Sequence, residues 1–177
     1  MQPAEESESG KRDLAAAVTA VAEAFASGRI GAGERAELRR MRPAALPPPA
    51  FWHIVARLVE PRHPPPSSEA GRTAWETQWA TVLAGMALLD HDPDRSPGRA
   101  LAEAGFHELR LRRLLRASDE RLADELLSAA RFLSAKGMSM DWREGARIVH
   151  YDPDRAPSWA DTVRRRVARD YFANATN

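Results

Sequence analysis

The chain has 177 residues, of which 44% are hydrophobic and 29% charged, with a formal net charge of +1. Such values describe a folded globular protein and exclude a wholly disordered one. There is no cysteine, which excludes disulfides, thiolate metal sites and cysteine nucleophiles and suits a cytoplasmic protein.

Residues 1–10 carry Glu5, Glu6 and Glu8 and read as a disordered acidic leader, with no apolar signal-peptide core. Residues 11–92 are expected to form an N-terminal helical bundle. Asp13 caps a first helix in which Leu14, Val18, Val21 and Phe25 share one face, and Gly28, Gly31 and Gly33 end it. A short helix from Glu34 to Met41 closes before Pro43. The prolines Pro47–Pro49 stiffen the connection to a helix from Phe51 to Glu60, on which Phe51, Trp52, Val55, Leu58 and Val59 are the apolar positions. After the break at Pro61–Ser68, the longest helix runs from Glu69 to Asp90. Trp75, Trp79, Val82, Leu83, Met86 and Leu89 trace its broad apolar face, and the two tryptophans read as core.

The segment Asp90–Pro97, DHDPDRSP, is the expected boundary, followed by a C-terminal helical bundle over residues 97–177. It opens with PGRALAEAGFHELRLRRLLRA, a short helix, a glycine turn at Gly105 and an arginine-rich helix. Leu111, Leu114 and Leu115 form the buried stripe of that helix. Arg112 and Arg116 share one flank, Arg110 and Arg113 the other. Glu108 stands four residues before Arg112 and pairs with it. Asp119 caps the next helix, which runs to Ala135. Asp141 caps another from Trp142 to about Tyr151, and a last helix spans about Trp159 to Ala173. No segment alternates as a strand does, so the fold class is all-α, two small helical bundles joined by a short Asp/Pro-rich linker. No run approaches membrane-spanning length.

The near-neutral total conceals three basic blocks. Residues 29–42, 98–116 and 155–170 each hold five arginines against two acids, for +3 apiece. Of the 26 basic residues, all but Lys11 and Lys136 are arginine. Arginine forks suit phosphate, and the same bias follows from a GC-rich genome. Catalytic and metal motifs are missing. Counted from Asp90 as a calcium loop, the sixth position is Arg95 rather than glycine and the twelfth is Leu101 rather than glutamate. His91 and His150 lie beside aspartate-rich turns without a paired-histidine motif. GRIGAG lacks the lysine of a phosphate loop, and no GxSxG turn occurs. No enzyme, metal or cofactor is expected. The spacing of Leu101, Gly105 and the arginine helix also resembles a helix-turn-helix regulator, with Arg110 and Arg113 on base edges. The commitment of Leu114 and Leu115 to a core speaks against it.

In order along the chain, AELRR at Ala36–Arg40, PAFW at Pro49–Trp52, GRALA at Gly98–Ala102 and RLLRA at Arg113–Ala117 are followed by the helix with Arg131. DW at Asp141–Trp142, AR at Ala146–Arg147 and a closing DYF at Asp170–Phe172 complete the series. This order resembles the CasB family, the small subunit of the type I-E CRISPR surveillance complex, Cascade. The resemblance implies a non-catalytic all-α protein of antiviral defence. Its implied partners are the backbone and large Cascade subunits, a second copy of itself, the CRISPR guide RNA, and target DNA with its displaced single strand in the R-loop. No membrane is involved. Nucleic-acid contact is implied for Arg40, Arg99, Arg110, Arg116, Arg131 and Arg155, with Arg39 and Arg113 as neighbours; Arg110 and Arg116 lead the set. The proline-rich connections are this chain's own, and the run Arg164–Arg166 has no counterpart in the pattern.

Overall fold

From Trp79 to Leu89 the sequence contains no charged residue, and a helix apolar all round must be covered all round. In the computed structural model, which describes residues 3–150 and 157–175, this stretch lies in α4 (Glu69–Leu88), and every residue from Trp79 to Ala87 is buried. Before it stand α1 (Pro3–Ala26), α2 (Ala32–Arg40) and α3 (Pro49–Ile54). After it come α5 (Pro97–Glu103), α6 (Glu108–Arg116), α7 (Asp119–Ala135), α8 (Trp142–His150) and α9 (Pro157–Asn174). Among the described residues there is no strand, only an isolated bridge between His91 and Met140. The fold is all-α. No described helix is long and apolar enough to cross a membrane.

Several local details differ from the sequence expectation. α1 begins at Pro3 and so runs through most of the stretch read as a leader, proline being well tolerated in a first helical turn. α3 passes at Val55–Val59 into a wider π-helical turn, marked by the Glu60 N–H donating to the Val55 carbonyl at 2.9 Å. Trp52 leaves the apolar stripe of Ala50, Phe51 and Ile54; its indole N–H donates to the Pro47 carbonyl instead. α7 starts at Asp119 itself, with Ser118 in the cap position.

α2, α7 and α8 pack around α4. Trp75 and Trp79 both face the core and both donate their indole N–H to His63 Nδ1, at 2.9 and 3.1 Å. Nδ1 accepts from both rings, and the proline-rich break thereby supplies a plug for α4. Across the core Trp142 of α8 lies directly on Gly85. A Cβ at that glycine would come within 2.1 Å of the ring.

The loop 90–97 is stitched to the start of α8. Asp92 N–H donates to the Met140 carbonyl at 2.9 Å, Asp141 N–H to the Arg95 carbonyl at 2.7 Å and Trp142 N–H to His91 Nδ1 at 3.0 Å. Burial lowers the pKa of His91, with Asp141 opposing, and the ring accepts as a neutral imidazole. Asp92 takes the Ser139 hydroxyl at 3.1 Å and the Asp94 N–H at 3.1 Å, so its carboxylate builds the turn. No metal-ligating cluster occurs among the described residues. The segment Asp152–Arg155, which repeats the DPDR of Asp92–Arg95, lies outside them.

Gly85→Ala should lower stability by about 1–3 kcal/mol, the usual range for overpacking a core, in urea denaturation followed by tryptophan fluorescence. An unchanged midpoint would mean that Trp142 can move aside without loss.

Candidate nucleic-acid interface

The arginine-rich helix is set in place by glycines and a tyrosine. Gly98 in α5 sits against α9 so closely that a Cβ would meet the Val167 carbonyl at 2.2 Å. GRALA and the closing DYF are thereby in contact. The Tyr171 hydroxyl of α9 donates to the Phe106 carbonyl, pinning the turn between α5 and α6. Gly105 takes φ +72° there, a conformation that glycine alone enters without cost. His107 Nδ1 then accepts from Leu109 N–H at 3.2 Å and caps α6. Leu111 and Leu114 turn inward, whereas Leu109 is 61% exposed.

The arginines of this segment divide by what they touch. Arg110 lies over the rings of Phe106 and Phe132, 4.6 and 5.2 Å from their centroids, and donates to Ser128 Oγ at 3.3 Å. It ties α6 to α7. Arg113 faces Glu125 at 3.5 Å and Arg112 pairs with Glu108 at 2.5 Å. Arg116 is exposed and has no partner among the described residues. A shallow groove where α6 turns into α7 is lined by Leu109, Arg112, Arg113, Arg116, Ala117, Ser118 and Arg121. Arg121 is likewise exposed and without a partner among the described residues. It was hidden in the sequence inside the acidic run Asp119–Glu125, although it follows Arg116 by only five positions across a two-residue turn. Among the described residues its lining holds no aromatic side chain.

The remaining candidates lie elsewhere. Arg39 spends its Nε on the Ala87 carbonyl at 2.6 Å and Arg99 is held by Glu103 at 2.6 Å; the Glu103 hydrogen bond also raises the Arg99 pKa. Arg40 and Arg131 are exposed and have no partner among the described residues, yet neither lines the groove. Arg155 lies outside the described residues. A major-groove reader built on α6 would need Arg110 and Arg113 free, and both are engaged by α7.

The unplaced run Arg164–Arg166 turns out to be partly structural. Arg164 donates to the Ala117 carbonyl at 2.8 Å, closing the C-terminal end of α6 with a positive charge, where the helix dipole favours one. Arg166 reaches Glu144 at 2.9 Å. Burial raises the Glu144 pKa and the Arg166 charge partly restores it, so α9 is bound to α8 through a half-compensated carboxylate.

The family described as CRISPR-associated protein Cse2 matches residues 34–172. No curated protein and no solved structure matches the chain.

Arg110→Met should cost about 1 kcal/mol, the scale of a cation–π contact that solvent still reaches, whereas Arg116→Met should stay within about 0.5 kcal/mol. Chemical denaturation of the two variants side by side checks this. Equal effects would contradict the division into a structural and a free arginine.

Proposed function

The chain belongs to the CRISPR-associated protein Cse2 family, and from that membership we propose that it serves as a non-catalytic Cascade subunit whose α6–α7 groove holds a nucleic-acid backbone. The observation that carries this reading is the groove itself, with Arg112, Arg113, Arg116 and Arg121 on one surface. Glu108 and Glu125 answer two of these charges and leave Arg116 and Arg121 for a ligand. Guanidinium groups match phosphate oxygens in a two-pronged fashion. With no aromatic side chain among the described residues of the lining, the groove offers arginines rather than a stacking platform, which suits contact with the backbone over reading of bases.

Such a site suits an RNA-guided complex, where base pairing reads sequence and protein supports the opened duplex. In this role the subunit lies beside the backbone and large subunits and a second copy of itself, near the guide RNA. It stabilises the R-loop by holding target DNA, above all the displaced strand. Arg116 and Arg121 are the principal contacts, with Arg112 and Arg113 as partly neutralised neighbours. Arg110 supports the groove from beneath.

Arg116→Glu with Arg121→Glu, tested in the assembled complex, should weaken target-DNA capture and reduce the slope of log affinity against log salt by about 1.4 to 1.8, the release expected for two phosphate contacts. The expected stability of the isolated chain is unchanged, because both side chains are exposed. An unaltered affinity and slope would remove the groove from the DNA path.

A further inference from the structure

Between α2 and α3 the chain makes a turn that the nucleic-acid reading leaves unexplained. From Leu38 to Val59 there is no aspartate or glutamate, while Arg39, Arg40, Arg42 and Arg57 are present. At the outer end of the turn Leu46 is 90% exposed, and Trp52 nearby in sequence is 39% exposed. The segment is stiff. Pro47, Pro48 and Pro49 each fix φ, and Ala45 N–H donates to the Arg42 carbonyl at 2.9 Å. The Trp52 indole N–H holds the Pro47 carbonyl at 3.2 Å, while its ring meets the buried Phe51 edge-on at 5.0 Å. Leu46 thus keeps its side chain in solvent, and covering it with another molecule would be favourable.

We infer that Leu46 and Trp52 form a preorganised apolar anchor that docks into a carboxylate-rimmed apolar pocket on a neighbouring protein subunit. The inference rests on the reading of the chain as a subunit of a larger complex. Three observations select the occupant. Leu46 offers neither a phosphate nor a base a hydrogen bond or a stacking face, and the Trp52 indole has its N–H on the Pro47 carbonyl and its ring against Phe51, which argues for protein over nucleic acid. Arg40 and Arg42 flank the turn, are exposed and have no partner among the described residues, so the complementary rim is acidic. The proline lock removes the ordering cost that a flexible loop would incur on binding. An apolar centre with a charged rim is the usual anatomy of a protein interface. Arg40 then serves this face rather than the DNA groove.

The test is Leu46→Asp, measured as the affinity of the chain for the complex of the remaining subunits, with Leu46→Met as the conservative control. Burying one leucine corresponds to roughly ten- to a hundred-fold in affinity, so Leu46→Asp should lose about that much and Leu46→Met little. Thermal stability and DNA binding of the isolated chain should stay unchanged in both. Undiminished affinity for the other subunits overturns the anchor. A loss of DNA binding by isolated Leu46→Asp would overturn it in favour of a nucleic-acid contact, and a loss confined to self-association in favour of a second copy. If the unsubstituted chain fails to join the complex, the functional reading falls and this surface with it. If only Arg116→Glu with Arg121→Glu proves silent, the anchor stands alone.

Discussion

The contact on which the arrangement depends is the Trp142 ring against Gly85. Only a glycine lets an indole lie this close to the backbone of α4, and the contact fixes how near α8 approaches the central helix. The same tryptophan donates its indole N–H to the Leu89 carbonyl at 2.8 Å and its backbone N–H to His91. One residue therefore joins α8, the end of α4 and the loop that follows. Asp141 beside it caps α8, accepting from Arg143 N–H at 2.8 Å, and also binds the Arg143 guanidinium. With α8 placed, Glu144 receives Arg166 and orients α9. α9 in turn packs on Gly98 and ties down the carbonyls of Phe106 and Ala117. The groove between α6 and α7 is thus the far end of a chain of contacts that begins in the core.

Arginine has two occupations in this protein, and burial and partners separate them. Arg35 stacks over Phe25 at 5.3 Å and pairs with Asp90 at 2.6 Å. Together with Arg39, Arg110, Arg143 and Arg164 it uses the planar guanidinium to satisfy carbonyls, carboxylates and ring faces between elements. Lysine could not replace these, having a point charge and no flat face. A second set, with Arg116 and Arg121 foremost, is exposed and has no acidic partner among the described residues. An exposed charge contributes little to stability, so the cost of placing these is small. The +3 of the segment from Gly98 to Arg116, already net of Glu103 and Glu108, overstates the charge offered to a ligand, because Glu125 answers Arg113 and the rings of Phe106 and Phe132 hold Arg110.

Much of the helical order was legible in the chain. The spacing of Leu14, Val18 and Val21, the uncharged run of α4, the glycine at 105 and the aspartate at 141 each announce a local event governed by neighbours within a turn or two. The Glu108–Arg112 pair was legible for the same reason. What stayed hidden depends on residues far apart in sequence. Nothing near Arg110 reveals that Phe132 and Ser128 will receive it, and nothing near Arg164 reveals the Ala117 carbonyl. The arginine ranked beside Arg116 thereby proved to be a joint between helices. Arg121 escaped because a local charge count averages it with its acidic neighbours, whereas the turn at Ala117–Ser118 sets it facing Arg116. In sequence Leu46 is one more residue beside a proline spacer, since exposure of a single leucine has no signature in composition.

The central claim is that the α6–α7 groove touches nucleic acid in the working complex. Leu109 lines that groove and is exposed, so a photo-crosslinking benzoylphenylalanine placed there reports directly on what covers it. Irradiation of the assembled complex with bound target should attach the probe to DNA, chiefly to the displaced strand. A crosslink to protein alone would contradict the account.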